Sequence, residues 1–302
     1  MIREIERTES KPLFPEAFPP GTAFIPLTWD DFWQEIASEE IQAMTYTYET
    51  HLHTRQSSRC GRTPGRDYIK YYQDQGYSGI VVTDHFYGNP CYVPDKNASW
   101  AEQVNVYCSG YEEAYNEGIR CGFPVFFGIE QQFADDEALI YGPDKQWLLD
   151  HPDIFTWGRR KWFDEVEAIG GCIVLAHPFR VRDYVTKITV NTCVHAVEVF
   201  NGGNRPEDDV YALRYGQYYH YPMTAGTDMH LIGKPESLYG VVFEKPWVDI
   251  FSYARAIRQR EPFGVRAPEG RGKTELKPLE RPYEYLNKQE HPVPWDVQEI
   301  LG

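Results

Sequence analysis

From Met44 to about residue 262, stretches rich in β-branched and aromatic residues alternate with stretches of helical character. Near-continuous apolar runs of this kind suit strands covered on both faces, and strands alternating with helices point to parallel βαβ units. Five of the runs end on histidine or carboxylate: THLHT at 50–54, VVTDH at 81–85, FFGIE at 126–130, VLAHP at 174–178 and TAGTDMH at 224–230. In parallel sheets and barrels functional groups collect at the C-terminal ends of strands, so the five clusters are expected to share one rim. AVEVFNGGN, which closes on Asn201 and Asn204, adds a sixth strand end.

The residue types in the clusters are those a divalent metal requires, because imidazole and carboxylate are the usual ligands of zinc, manganese and iron. His51 and His53 stand two apart, so on a strand both rings face the same way. Asp228 and His230 repeat that spacing. Glu130 ends an apolar strand, where a carboxylate is costly unless paired or bound to metal. His177 precedes Pro178, which restrains the backbone just past its strand, and His85 follows Asp84 where a turn-rich loop begins. His151, His195, His220 and His291 lie outside the clusters and are read as structural or solvated.

At 302 residues and 42% hydrophobic content the chain suffices for one large α/β barrel. Its net charge of −15 disfavours nucleic acid and anionic membranes as partners and leaves a small anionic substrate at a metal as the fitting ligand. No apolar run approaches the roughly 20 residues of a membrane span, and the charged start (MIREIERTESKP) lacks the apolar core of a signal peptide, so a cytoplasmic location is expected. The six cysteines show no CxxC spacing and read as reduced thiols, with Cys172 and Cys193 in apolar surroundings as core packing. Residues 1–44, which include a helix-like TWDDFWQEIASEEIQA, read as an N-terminal extension. Residues 45–262 form the expected barrel, and 263–302 a polar, proline-rich tail packed on it as irregular structure.

The ordered set HLH, TDH, GIE, AHP, GTDMH resembles the PHP (polymerase and histidinol phosphatase) superfamily, in particular its stand-alone proteins of the metal-dependent phosphoesterase type, over about residues 45–262. The resemblance implies a distorted (β/α)7 TIM-like barrel with up to three divalent metals at the C-terminal rim. Carried over by motif, His51, His53, Glu130 and Asp228 would hold one metal, Glu130 and His177 a second, and His85 with His230 a third. Two ligands of the full set have no counterpart. Six residues after His53 the chain has Arg59, with Cys60 next to it, and the histidine expected after the GIE glutamate falls near Leu139 and Ile140. Between one and three metals (zinc, manganese or iron), and fewer than the full three, are therefore expected. Arg59 could supply a bidentate grip on phosphate in place of a metal's charge, and Cys60 could instead supply a thiolate ligand.

These readings converge on hydrolysis of a small phosphate ester by metal-activated water. His177, His230 or Asp84 would relay the proton, and Arg59, Arg180, Asn201 and Asn204 would bind substrate. The same rim also suits an amidohydrolase-like or phosphodiester-cleaving enzyme, or a noncatalytic metal-binding barrel.

Overall fold

In the computed structural model the described residues are 46–234, 237–276, 278–279 and 281–301. The chain divides between Ile41 and Gln42, and the second unit is the one described here. The N-terminal extension and its helix-like stretch lie outside the described residues.

The chain is a mixed α/β protein with a nearly closed, barrel-like sheet of nine strands. In chain order the described elements begin with β1 (Tyr46–Glu49), α1 (Asp67–Asp74), β2 (Gly79–Val82), α2 (Trp100–Cys121), β3 (Val125–Gln132) and β4 (Glu137–Tyr141). There follow α3 (Lys145–Asp150), α4 (Arg159–Ala168), β5 (Cys172–Ala176), β6 (Ile188–Asn191), β7 (Ala196–Asn201), α5 (Pro206–Tyr218) and β8 (Met223–Gly226). The last are β9 (Gly240–Phe243), α6 (Ile250–Gln259), β10 (Gly264–Arg266), β11 (Tyr283–Leu286) and β12 (Pro292–Val293). The large sheet has the order β10-β9-β1-β2-β3-β4-β5-β7-β8, and β8 lies against β9 and β10, so its ends meet. The small sheet has the order β12-β11-β6.

Half of the neighbours in the large sheet are parallel, as alternation with helices requires: β1 with β2, β2 with β3, β5 with β7 and β7 with β8. Strand β4 departs from that expectation and pairs antiparallel with both β3 and β5. The reason is the length of its connection. A parallel crossover needs about a dozen residues or more, whereas a short turn closed by Phe133 N donating to Asp136 O at 2.8 Å joins β3 to β4. Strand β9 is antiparallel to β1 as well.

The segment read from sequence as an irregular tail contributes three short strands. Its β10 enters the main sheet beside β9, and β11 pairs in parallel with β6. None of the three exceeds four residues, too few for a visible period among prolines and charges.

Two apolar clusters support the rim from below and from the side. One fills the barrel with Tyr48, Val81, Leu139, Tyr141 and Val174 and is closed by Tyr253, Ala254 and Ile257 of α6. The Trp247 ring caps it, stacked on Tyr48 at 3.8 Å between centroids. The other packs Tyr68, Ile69 and Tyr72 of α1 against Leu52, Ile80 and Val82. Both clusters touch strands whose next residues are the histidines and acids, so apolar packing holds those side chains in register.

Candidate metal centre

Past the ends of β1 and β8 the chain segments that follow these two strands pair directly with each other. Leu52 bridges Met229 in parallel, His53 N donates to Met229 O at 2.9 Å, and Asp228 N donates to His51 O at 2.8 Å. A further parallel bridge joins His85 to Glu130 beyond β2 and β3. Of β1, β2, β3, β4, β5, β7 and β8, all but β4 run the same way, so six C-terminal ends lie at one rim.

All seven side chains expected as ligands converge there. His51 Nε2 lies 3.2 Å from Glu130 Oε1 and 3.5 Å from Asp228 Oδ1, while His53 Nε2 lies 3.3 Å from Glu130 Oε2 and 3.1 Å from Asp228 Oδ1. Donors about 2.1 Å from a tetrahedral ion stand about 3.4 Å apart, so this spacing matches a metal position. His177 Nε2 meets Glu130 Oε1 at 2.9 Å, and His85 Nδ1 lies 2.6 Å from Glu130 Oε2. His230 and His85 share a second cluster with His53, and the rings of His85 and His230 lie 4.2 and 4.3 Å from that of His53.

Two atoms decide what the cluster is built for. His51 Nε2 and Glu130 Oε2 are fully buried and make no hydrogen bond; their neighbours are near but not aligned to donate. A buried polar atom without a hydrogen-bond partner is costly, and a cation among these donors would satisfy both. The surrounding contacts leave the facing nitrogens free to coordinate. His51 Nδ1 lies 2.9 Å from Glu198 Oε1, which must accept from it, so the lone pair is on Nε2. In the same way His230 Nδ1 donates to the Asp228 carbonyl at 2.8 Å. Glu198 also accepts from His177 N at 3.0 Å and Asn201 Nδ2 at 2.8 Å, tying three strand ends together.

Backbone strain marks the same place. His177 (φ 29) and Asp228 (φ 53) adopt the left-handed region that non-glycine residues avoid, at about 1–3 kcal/mol each. Gly226 is required where it stands, since a Cβ there would lie 2.5 Å from His51 Cβ. Burial opposes charge on Glu130, but His85, His51 and His53 around it hold its carboxyl well below the usual range. Burial likewise opposes charge on Asp228, and Arg180 and His51 overcome it. Both are anionic donors in neutral solution. Burial and the neighbouring His85 and His230 push His53 well below the ordinary imidazole value, whereas Glu198, Asp228 and Glu130 outweigh burial at His51 and raise it.

Several residues occupy different places from those the sequence suggested. Arg59 is exposed, and its backbone N donates to Cys91 O at 2.7 Å. It is Cys60 that reaches inward, hydrogen-bonded to His230 and His85; burial raises its thiol, but these histidines bring it down to about 6. Asp84 has both oxygens engaged, accepting from Thr54 N and Thr54 Oγ1 at 2.7 Å each and from Ser58 Oγ at 2.6 Å. These bonds brace the loop after β1. Arg180 donates through Nη2 to Asp228 Oδ2 at 2.6 Å and Asn201 Oδ1 at 2.7 Å, and through Nε to Asn204 Oδ1 at 2.7 Å. Asn201 and Asn204 therefore position Arg180; their side chains are committed inside the protein. Among the remaining histidines, His195 accepts from Ile173 N at 3.0 Å and stacks on Phe163, and His151 Nδ1 lies 2.6 Å from Trp147 O, so both are structural.

Three acids, Glu49 and Glu198 buried and Glu137 partly so, escaped the sequence reading. Glu137 lies 3.5 Å from His177 Nε2 and 3.9 Å from His85 Nδ1, near where a histidine was sought two and three residues later. It begins β4, and only because β4 runs against its neighbours does its first residue reach the rim. Glu198 and Glu49 sit within apolar strands; an acid in AVEVF or YTYE was the available signal. Glu49 accepts from His51 N at 2.8 Å and Thr227 N at 2.9 Å, and burial raises its carboxyl to about 7 despite those bonds.

No protein-family model matches the chain, and no curated protein matches it. Among solved structures it is similar to a candidate metal-dependent phosphoesterase from Bifidobacterium adolescentis, with 17% identity, a TM-score of 0.40, and 63% of this chain and 90% of the other covered. It is also similar to an amidohydrolase from Chromobacterium violaceum with bound sulfate and no metal, at 14% identity and a TM-score of 0.43 over 70% of this chain and 96% of that one. A third, PsfC from Pseudomonas syringae, shares 15% identity at a TM-score of 0.44 over 76% of this chain and 93% of its own.

Proposed function

We propose that this protein is a metal-dependent hydrolase of the PHP type, acting on a small phosphate ester. The observation that supports this reading is the burial of two atoms without hydrogen-bond partners, His51 Nε2 and Glu130 Oε2, in a cluster with His53, His177 and Asp228. His51, His53, Glu130 and Asp228 hold the divalent ion. Such an ion lowers the pKa of its water from about 15.7 toward about 7 and polarises a phosphoryl oxygen.

The remaining chemistry falls to side chains around that position. Glu198 and Glu49 orient His51, one through its ring and the other through its backbone N–H. His177 and Arg180 line a cleft with Glu137 and Tyr184, where an anionic substrate group meets the guanidinium. His177 and His230 are the groups placed to pass a proton to the leaving alkoxide.

The test combines metal analysis of the purified protein with turnover of phosphomonoesters, phosphodiesters and amides under added zinc, manganese or iron. Metal that is lost in His51→Ala, with turnover of a phosphomonoester, is the expected result. Turnover of amides alone would move the reaction class, and a protein that binds no metal would sink the hydrolase reading altogether.

A further inference from the structure

The side chains of Cys60, Cys91 and His85 bring their ligating atoms within 4.8 Å of one another, a donor set that includes neither His51 nor Glu130. Zinc–sulfur and zinc–nitrogen bonds of about 2.3 and 2.1 Å place tetrahedral donors about 3.4–3.8 Å apart, so small rotations of the thiols complete a site of this size. From this juxtaposition we propose that Cys60, Cys91 and His85, with His230 as fourth donor, form a thiolate-containing position that takes a soft divalent ion, zinc in preference to manganese. It deepens the hydrolase reading by specifying one of that rim's metal positions, and it rests on a donor set of its own.

The two cysteines are not isolated thiols that happen to be close. They lie on two paired segments: Ser58 bridges Tyr92 in antiparallel fashion, Arg59 N donates to Cys91 O at 2.7 Å and Val93 N to Ser57 O at 3.3 Å. This pairing fixes the Cα positions from which both thiols project. Cys91 N is held by Asn89 Oδ1 at 2.7 Å, while Asn89 Nδ2 reaches His85 Nδ1 at 3.2 Å and Glu137 Oε1 at 2.9 Å. One asparagine thereby positions a cysteine, a histidine and an acid. Cys60 shares its cluster with His85, His85 shares another with His230, and His230 donates its Nδ1 proton to a backbone carbonyl, which leaves Nε2 as its donor. Two sulfurs and two imidazoles make a soft site, whereas manganese favours oxygen ligands.

Three readouts test the position without relying on activity. In the native protein, zinc is expected to protect two thiols from alkylation, mapped by mass spectrometry to Cys60 and Cys91, and manganese is expected to protect neither. Cobalt substitution is expected to produce a sulfur-to-metal charge-transfer band that disappears in Cys91→Ser and Cys60→Ser. Zinc content is expected to fall by one ion per chain in the double serine variant. An unprotected pair, a disulfide between the two cysteines that forms regardless of zinc, or a cobalt spectrum without sulfur character would overturn the proposal. His51→Ala separates the two readings: it empties the His51–Glu130 position while the charge-transfer band persists. If that variant keeps its full metal content while the band appears, the hydrolase reading fails and the thiolate position stands. The alkylation arm needs no variant, so a misfolded substitution does not remove the test.

Discussion

Glu130 shows how much one side chain can carry at this rim. Its two oxygens meet His51, His53, His85 and His177, and it is buried completely. Glu130→Gln keeps the size and removes the charge that balances a cation, so metal content is expected to fall by at least one ion per chain, checked by elemental analysis. Stability without metal is expected to fall as well, because the surrounding histidines hold this carboxyl well below the usual range and lose the anion that balances them. Of these contacts the sequence showed the residue types and their spacing. It did not show that Arg59, six residues after His53, stays exposed while the adjacent Cys60 turns inward; on an irregular loop a shift of one residue reverses direction, and no period announces it.

At the scale of elements, α2 presses on the loop that shapes the site. A Cβ at Gly110 would lie only 1.9 Å from Thr54 Oγ1, and that hydroxyl donates to Asp84. Gly110→Ala gains about 1 kcal/mol in helix propensity, yet it forces Thr54 aside. Overpacking of this kind costs about 1–3 kcal/mol, so a net loss of stability is expected in denaturant melts, accompanied by weaker metal binding. The helix starts where Ser99 and Glu102 form a reciprocal cap and ends at Gly122 in the left-handed conformation. Strand β4 was not plain: EALIY reads as a short apolar run, and its antiparallel direction follows from a turn rather than from its own residues. Glu137 was missed with it, since the search for ligands looked only at C-terminal strand ends.

Across the whole molecule, metal and protons act on the same stability. The candidate donors come from the segment after β1, from β3 and from the segment after β8, so an ion held among them only in the folded chain would stabilise it by about 2.7 kcal/mol at a hundredfold excess over its Kd. Chelation is expected to lower the Tm and zinc to restore it, measured by calorimetry at constant pH. Away from the rim, His195 supplies an acid-sensitive contribution. Burial, with Arg258 and Lys288 nearby, depresses its pKa from 6.5 to about 3. Between those values the unfolded chain binds the extra proton, so stability falls as pH drops from about 6.5 toward about 3. Denaturation of the metal-free protein at several pH values is expected to show this slope, flattened in His195→Asn.

The sequence by itself determined the alternation of strands and helices, the burial of the strands, and which histidines and acids would meet, because side-chain period and the C-terminal ends of strands are local properties. Tertiary structure alone decided the rest. The segments after β1 and β8 hydrogen-bond across 175 residues or more of chain, and Glu137, Glu198 and Cys91 take their places through pairings made at a distance. Such contacts depend on strand direction and loop closure, which no window of neighbouring residues contains.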